Sequence, residues 1–171
     1  YNLGYKINNA GPPATWTLML YMSTDQDVDY ITRIQELINS YHENCNINIV
    51  ILLDKKHPLD FGLDGFDFDD TRLFVINTQG VHRISGAIEF PEITEESIYK
   101  ANMRDANTLR KFIDYCKANY PAKYNGLYIF GNGSAAGGFC DDGYGVNDRL
   151  HLGELSSVLD NSQKSVFYTL V

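Results

Sequence analysis

Three short stretches of the chain are apolar with almost no interruption: "TWTLMLYM" from Thr15 to Met22, "INIVILLD" from Ile47 to Asp54, and "YNGLYIF" from Tyr124 to Phe130. A strand that alternates apolar and polar residues buries one face. A nearly continuous one needs cover on both, which describes a central strand of a parallel sheet with helices above and below. The segment between the first two, "DQDVDYITRIQELINSYHE", places Val28, Ile31, Ile34, Leu37 and Ile38 at helical spacing, with acids in its first turn where the helix dipole favours them. Strand, helix, strand in that order implies a right-handed parallel crossover.

Two β-runs, Arg72 to Asn77 and Val81 to Ile84, are split by "TQG" and read as a hairpin. "DANTLRKFIDYCKANY" carries Leu109, Phe112, Ile113 and Cys116 on one helical face, and Pro121 stops it. "LHLGELSSVLD" (150–160) reads as a further amphipathic helix and "SVFYTLV" (165–171) as a fourth strand of the parallel set. The expected fold is therefore α/β, an open, mostly parallel sheet flanked by helices with a small β-hairpin insertion. Residues 1–14, which include "NNAGPP", form an N-terminal loop segment, and 15–171 form one domain. Working groups in such sheets sit beyond the carboxyl ends of the strands, which directs attention to the residues after Met22 and after Phe130.

Charge narrows the partners. Fourteen Lys and Arg against 22 Asp and Glu leave a net charge of −8, the wrong sign for a phosphate backbone and the right one for cationic peptides. Cys45, Cys116 and Cys140 are an odd number without a C-x-x-C pair, so neither a disulfide framework nor a zinc site is signalled, and all three are expected as free thiols. No apolar run approaches the roughly 20 residues that span a bilayer. The chain begins at Tyr1 with neither a methionine nor an apolar leader, so either a signal peptide has been removed or the chain has been trimmed; a secreted or periplasmic location is the expectation, and the sequence does not determine it.

At "LYIFGNGSAAGG" (127–138) an apolar run ends in a glycine-rich turn with Asn132 between two glycines. "GNGSAA" satisfies G-x-G-x-x-A in form, but that fingerprint must open a helix, and "GGFCDDGYG" follows instead. A P-loop fits worse: Phe139 and Cys140 stand where Lys and Ser or Thr belong. The glycines then either form a plain flexible turn or present one side chain and one backbone N–H to a substrate.

Four stretches in order carry a family resemblance: "WTLMLYMSTDQDVD", "INIVILLD", "NMRDANTLRKFIDYCKANYPAKYNGLYIFGNGS" and "DDGYGVNDRLHLGELSSVLD". Together they resemble the amino-terminal two thirds of clostripain-type cysteine peptidases, relatives of caspases, gingipains, legumain and separase. The resemblance implies a caspase-like sheet and cleavage after Arg or Lys by a Cys–His dyad. It puts the catalytic histidine at position 132, occupied here by Asn132, and gives the N–H of Gly133 to the oxyanion. It places the nucleophilic cysteine just beyond Val171, on a following segment or a second chain. Asparagine shares hydrogen-bonding shape with an imidazole edge but does not exchange a proton near neutral pH, so the chain as given is expected to be inactive. Asp25, Ser134, Asp141 and Asp142 become candidates for holding a basic substrate residue, and Arg149 and Lys164 for self-processing.

The resemblance implies no cofactor, and calcium stays possible because some family members depend on it. The acidic run "LDGFDFDD" (63–70) lacks the D-x-[DN]-x-[DN]-G pattern, so a solvated edge loop is expected there. Cys140 has no histidine beside it and reads as a buried or half-exposed thiol, and His42, His57, His82 and His151 as structural. Two other readings remain: a pseudopeptidase that keeps the peptide groove without the dyad, and a flavodoxin-like nucleotide binder.

Overall fold

The structure, a computed structural model, describes residues 13–24, 29–55, 68–131, 133, 138–140, 149–161 and 169–170. Strand β1 (Ala14–Thr24) is followed by helix α1 (Asp29–Ser40), β2 (Ile47–Lys55), β3 (Thr71–Asn77), β4 (Gly80–Ile84), α2 (Ala106–Asn119), β5 (Ala122–Phe130), α3 (Leu152–Asn161) and β6 (Thr169–Leu170). They form one sheet in the order β4-β3-β2-β1-β5-β6. β1 pairs in parallel with both β2 and β5, β5 in parallel with β6, and the β3–β4 hairpin adds an antiparallel edge.

The two-faced burial expected of the apolar runs is what the strands do. Successive side chains point to opposite faces. Met19 and Tyr21 of β1, Val50 and Leu52 of β2, and Leu127 and Ile129 of β5 join one core with Phe112 and Ile113 of α2 and Val158 of α3. Leu20, Met22, Ile49, Ile51 and Leu53 point the other way, onto Ile34 of α1. The sheet is thus the middle of three layers. Because β2 lies on one side of β1 and β5 on the other, with α1 and α2 on opposite faces, strand order reverses at β1 and leaves a crevice at its carboxyl end.

Local signals set the boundaries. Asp105 caps α2 by accepting the Asn107 N–H at 2.8 Å, and the helix ends where Tyr120 donates back to the Cys116 carbonyl, one residue before Pro121. The hairpin turn is shorter than its sequence suggests: Asn77 pairs with Gly80, leaving a two-residue loop, and Gly80 takes φ +111°.

Two features differ from expectation. Phe68 and Asp70, at the end of the acidic run, are buried rather than solvated. Asp70 accepts from Arg72 Nε at 2.7 Å, and the Phe68 ring lies 4.2 Å from the Arg72 guanidinium and 4.9 Å from the Lys55 ammonium, so cation stacking draws this end of the run inward. The chain between β4 and α2, which shows no periodicity, forms a strap across the α2 face and buries Phe90, Ile93, Ala101 and Met103. Among the described residues, no helix is long and apolar enough to cross a membrane.

Candidate functional site

The crevice is built where β1 and β5 end together. Met22 is in register with Phe130, so Ser23 and Gly131 emerge side by side. A Cβ on Gly131 would stand 3.3 Å from the Ser23 carbonyl oxygen and 3.2 Å from Cys140 Cα, so a side chain would push the loop off the strand end. Gly133 is exposed, yet a Cβ there would come within 2.5 Å of the Gly138 carbonyl oxygen. Gly138 takes φ +102°, and a side chain on it would meet the Leu150 carbonyl at 2.7 Å. The turn therefore closes on itself through backbone, which only glycine permits. Two hydrogen bonds between Phe139 and Leu150, each 3.0 Å, tie its return limb to the start of α3.

Of the candidate catalytic, substrate-binding and processing residues, Gly133 and Arg149 fall within the described structure. Asn132, Asp25, Ser134, Asp141, Asp142 and Lys164 lie outside the described residues, as does His57. Arg149 is half-buried, beside a fully buried Leu150. His42 begins a short 3-10 turn, His82 sits on β4 with Nε2 3.1 Å from Asn77 Oδ1, and the His151 N–H is capped by Glu154.

Cys140 occupies the middle of this architecture and is sealed from solvent, with φ +60°. Burial, and then the charge of Asp54, push its thiol up to about 12. Such a thiol stays protonated near neutral pH and is no nucleophile. All three cysteines with described surroundings are free thiols.

Sequence reasoning missed a polar cavity of about 230 Å³ over the carboxyl ends of β1 and β2. Ser23, Asp54, Lys100, Asn102, Arg104 and Cys140 contribute to its walls. The buried Asp54 carboxylate accepts from the Thr71 hydroxyl and faces Lys100 Nζ at 3.3 Å, while that ammonium also donates to the Lys55 carbonyl. The strap supplies the outer wall and is pinned to the sheet: Tyr21 donates its hydroxyl to the Met103 carbonyl at 2.9 Å, and Ala101 N–H donates to Thr71 Oγ1 at 2.8 Å. Tyr21 is held far above its ordinary pKa, first by burial and then by the charges of Cys140 and Asp54. Asp54 ends an apolar strand, a signal open to notice. Lys100 and Arg104 are brought there by the strap alone. Among the described residues, no group of three or more His, Cys, Asp or Glu is placed to hold a metal ion.

A mixed sheet with its strand order reversed at β1, and a glycine-closed turn at the end of β5, is an α/β architecture that matches solved cysteine protease structures of caspase-like fold. Comparison with known proteins gives the lineage: the clostripain family profile matches residues 20–170, and the chain belongs to that family. It is 34% identical over 165 residues to clostripain of Hathewaya histolytica, an alignment covering 86% of this chain and 31% of that protein. The chain thus spans about a third of the length of that relative. Its fold is similar to a secreted cysteine protease of Bacteroides thetaiotaomicron, crystallised with an irreversible peptide inhibitor, with a TM-score of 0.60 at 13% identity over 91% of this chain and 42% of that one. A second structure of a secreted cysteine protease from the same organism, iotapain, matches with a TM-score of 0.58 at 11% identity over 93% and 47%.

Proposed function

We propose that this chain is the amino-terminal portion, residues 15–171, of a clostripain-type cysteine endopeptidase domain, with Asn132 in the place of the proton-shuttling histidine. The proposed lineage cleaves after Arg or Lys, and this chain, with Asn132, is proposed to be inactive; the alternative is a pseudopeptidase that binds peptides through a basic residue without cutting them. The observation that supports the reading is Gly133, exposed just after the carboxyl end of β5 and held against the Gly138 backbone where a Cβ has no room; its N–H is proposed to meet the substrate carbonyl. Attack by a thiolate on a peptide bond needs a group that protonates the leaving amine. Asn132 offers hydrogen bonds and no exchangeable proton, so the half of the site present here positions and does not catalyse. Asp25, Ser134, Asp141 and Asp142 are proposed to receive the basic side chain, and the nucleophile to come from a further segment or a second chain. Secretion and self-processing at Arg149 or Lys164 belong to the same reading. A cut at Arg149 requires the Phe139–Leu150 pair to open, because Leu150 is fully buried.

The test compares the longest polypeptide the gene encodes, as it stands and with Asn132→His, on fluorogenic peptides ending in Arg, Lys or Asp. Turnover of the Arg and Lys peptides by the histidine form alone, with new chain ends mapped by mass to Arg149 or Lys164, is the expected result. A histidine form that is folded, contains a downstream cysteine and cuts none of them would sink the endopeptidase reading. Asparagine encoded in the native gene, with Arg-peptide binding intact, would favour the pseudopeptidase.

A further inference from the structure

We infer that the glycine turn is a latch on processing: the closed turn, the form proposed to hold a peptide at the Gly133 N–H, is also the form in which the Arg149–Leu150 bond is shielded, so peptide occupancy and cleavage after Arg149 oppose each other. The inference rests on the peptide-groove reading above and adds a regulation to the same site. Three layers of chain lie against one another. Gly133 faces the Gly138 carbonyl, where a Cβ would have 2.5 Å, and Gly138 faces the Leu150 carbonyl and the Arg149 Cβ, where a Cβ would have 2.7 and 3.1 Å. Phe139 exchanges two hydrogen bonds with Leu150, each 3.0 Å. The contacts are close enough that one layer cannot shift without the next.

While the layers are closed, the bond is out of a protease's reach. A protease takes its substrate extended over several residues on each side of the cut. Here Leu150, the first residue after the cut, is fully buried and makes both hydrogen bonds of the pair, and the N–H of His151 is held by the Glu154 carboxylate at the start of α3. Cleavage adds water across the bond, leaving a carboxylate on Arg149 and an amine on Leu150, and it must wait until the pair opens. The closed form is held against strain. Cys140, fully buried beside the pair, sits at φ +60°, a region unfavourable to a residue with a side chain, so opening relieves strain as it breaks hydrogen bonds. An element balanced in this way responds to whatever binds one of its two states. A peptide on the Gly133 N–H binds the closed state, and by linkage it lowers the population from which Arg149 is cut.

The experiment uses the longest polypeptide the gene encodes, with Asn132 retained, and has two arms. In the first, trypsin reports shielding: clipping after Arg149 is followed by mass in the parent and in Gly138→Ala, whose methyl group meets the Leu150 carbonyl. The variant, with its fold checked by circular dichroism, should be clipped there about tenfold faster. In the second, amide exchange at Phe139 and Leu150 in the parent reports coupling, without and with acetyl-Gly-Gly-Arg amide. At ten times its Kd the peptide should slow both amides about tenfold. Equal clipping of parent and folded variant would overturn the shielding, and a bound peptide that leaves both amides unchanged would overturn the coupling while the groove reading stands. If Gly138→Ala does not fold, the exchange arm decides alone. Failure of the peptide to bind, read by calorimetry, overturns the groove reading and the coupling with it.

Discussion

Replacing Gly133 by alanine puts a methyl group 2.5 Å from the Gly138 carbonyl oxygen and 3.1 Å from Phe139 Cα. A carbon and an oxygen that are not bonded sit several tenths of an ångström further apart, so one limb of the turn must move. The obstacle is backbone, and the limb it belongs to is anchored by the two Phe139–Leu150 hydrogen bonds. Gly138 has no slack to offer, since it lies at φ +102° against the Leu150 carbonyl. Overpacking a closed site of this kind costs about 1–3 kcal/mol, and each backbone bond given up costs about 1 kcal/mol net. If the turn yields by opening the Phe139–Leu150 pair, the loss is local. Amide exchange at Phe139 and Leu150 should then accelerate about tenfold or more, while amides of β1 and β5 keep their protection. On the proposed reading, in which the residue 133 N–H meets the substrate carbonyl, Arg-peptide affinity should fall in parallel. Unchanged exchange at both amides in the Gly133→Ala protein would refute the argument that the turn closes backbone to backbone.

Other consequences are checked by simpler measurements. Tyr21→Phe keeps the ring against Phe112 but strands the Met103 carbonyl, so stability should drop by about 1–2 kcal/mol, seen as a melting temperature lower by a few degrees; a variant as stable as the parent would mean the hydroxyl does not hold the strap. Burial raises the Cys140 thiol from 9.0 to about 12 and also raises Cys116, so the folded state binds protons that the unfolded chain releases. The stability the Cys140 thiol confers is complete below about pH 9 and is lost as pH rises toward 12, and Cys116 acts in the same direction. Denaturant titrations at pH 8, 9 and 10 should show that decline, and it should be shallower in Cys140→Ala; identical slopes would count against the thiol.

Much of the fold was legible in the chain because its signals are local. "TWTLMLYM", "INIVILLD" and "YNGLYIF" announce strands covered on both faces, and they are. Leu109, Phe112, Ile113 and Cys116 recur at helical spacing, with Asp105 before them and Pro121 after, and α2 follows from that arrangement. The clostripain lineage was readable for a similar reason, since its motifs are contiguous stretches. Phe68 and Asp70 were not legible: an acidic run looks solvated until Arg72 and Lys55 are seen to close around it.

By itself, then, the sequence determined the main strands and helices and the glycine-rich stretch after β5, because hydrophobic period and backbone permissiveness act between near neighbours. Only the tertiary structure decided that Ser23, Asp54, Lys100, Arg104 and Cys140 face one cavity. These residues come from two strand ends, a strap without periodicity and a loop far along the chain. Their meeting follows from which side of β1 each strand takes and how the strap is pinned, and no local pattern of residues records that.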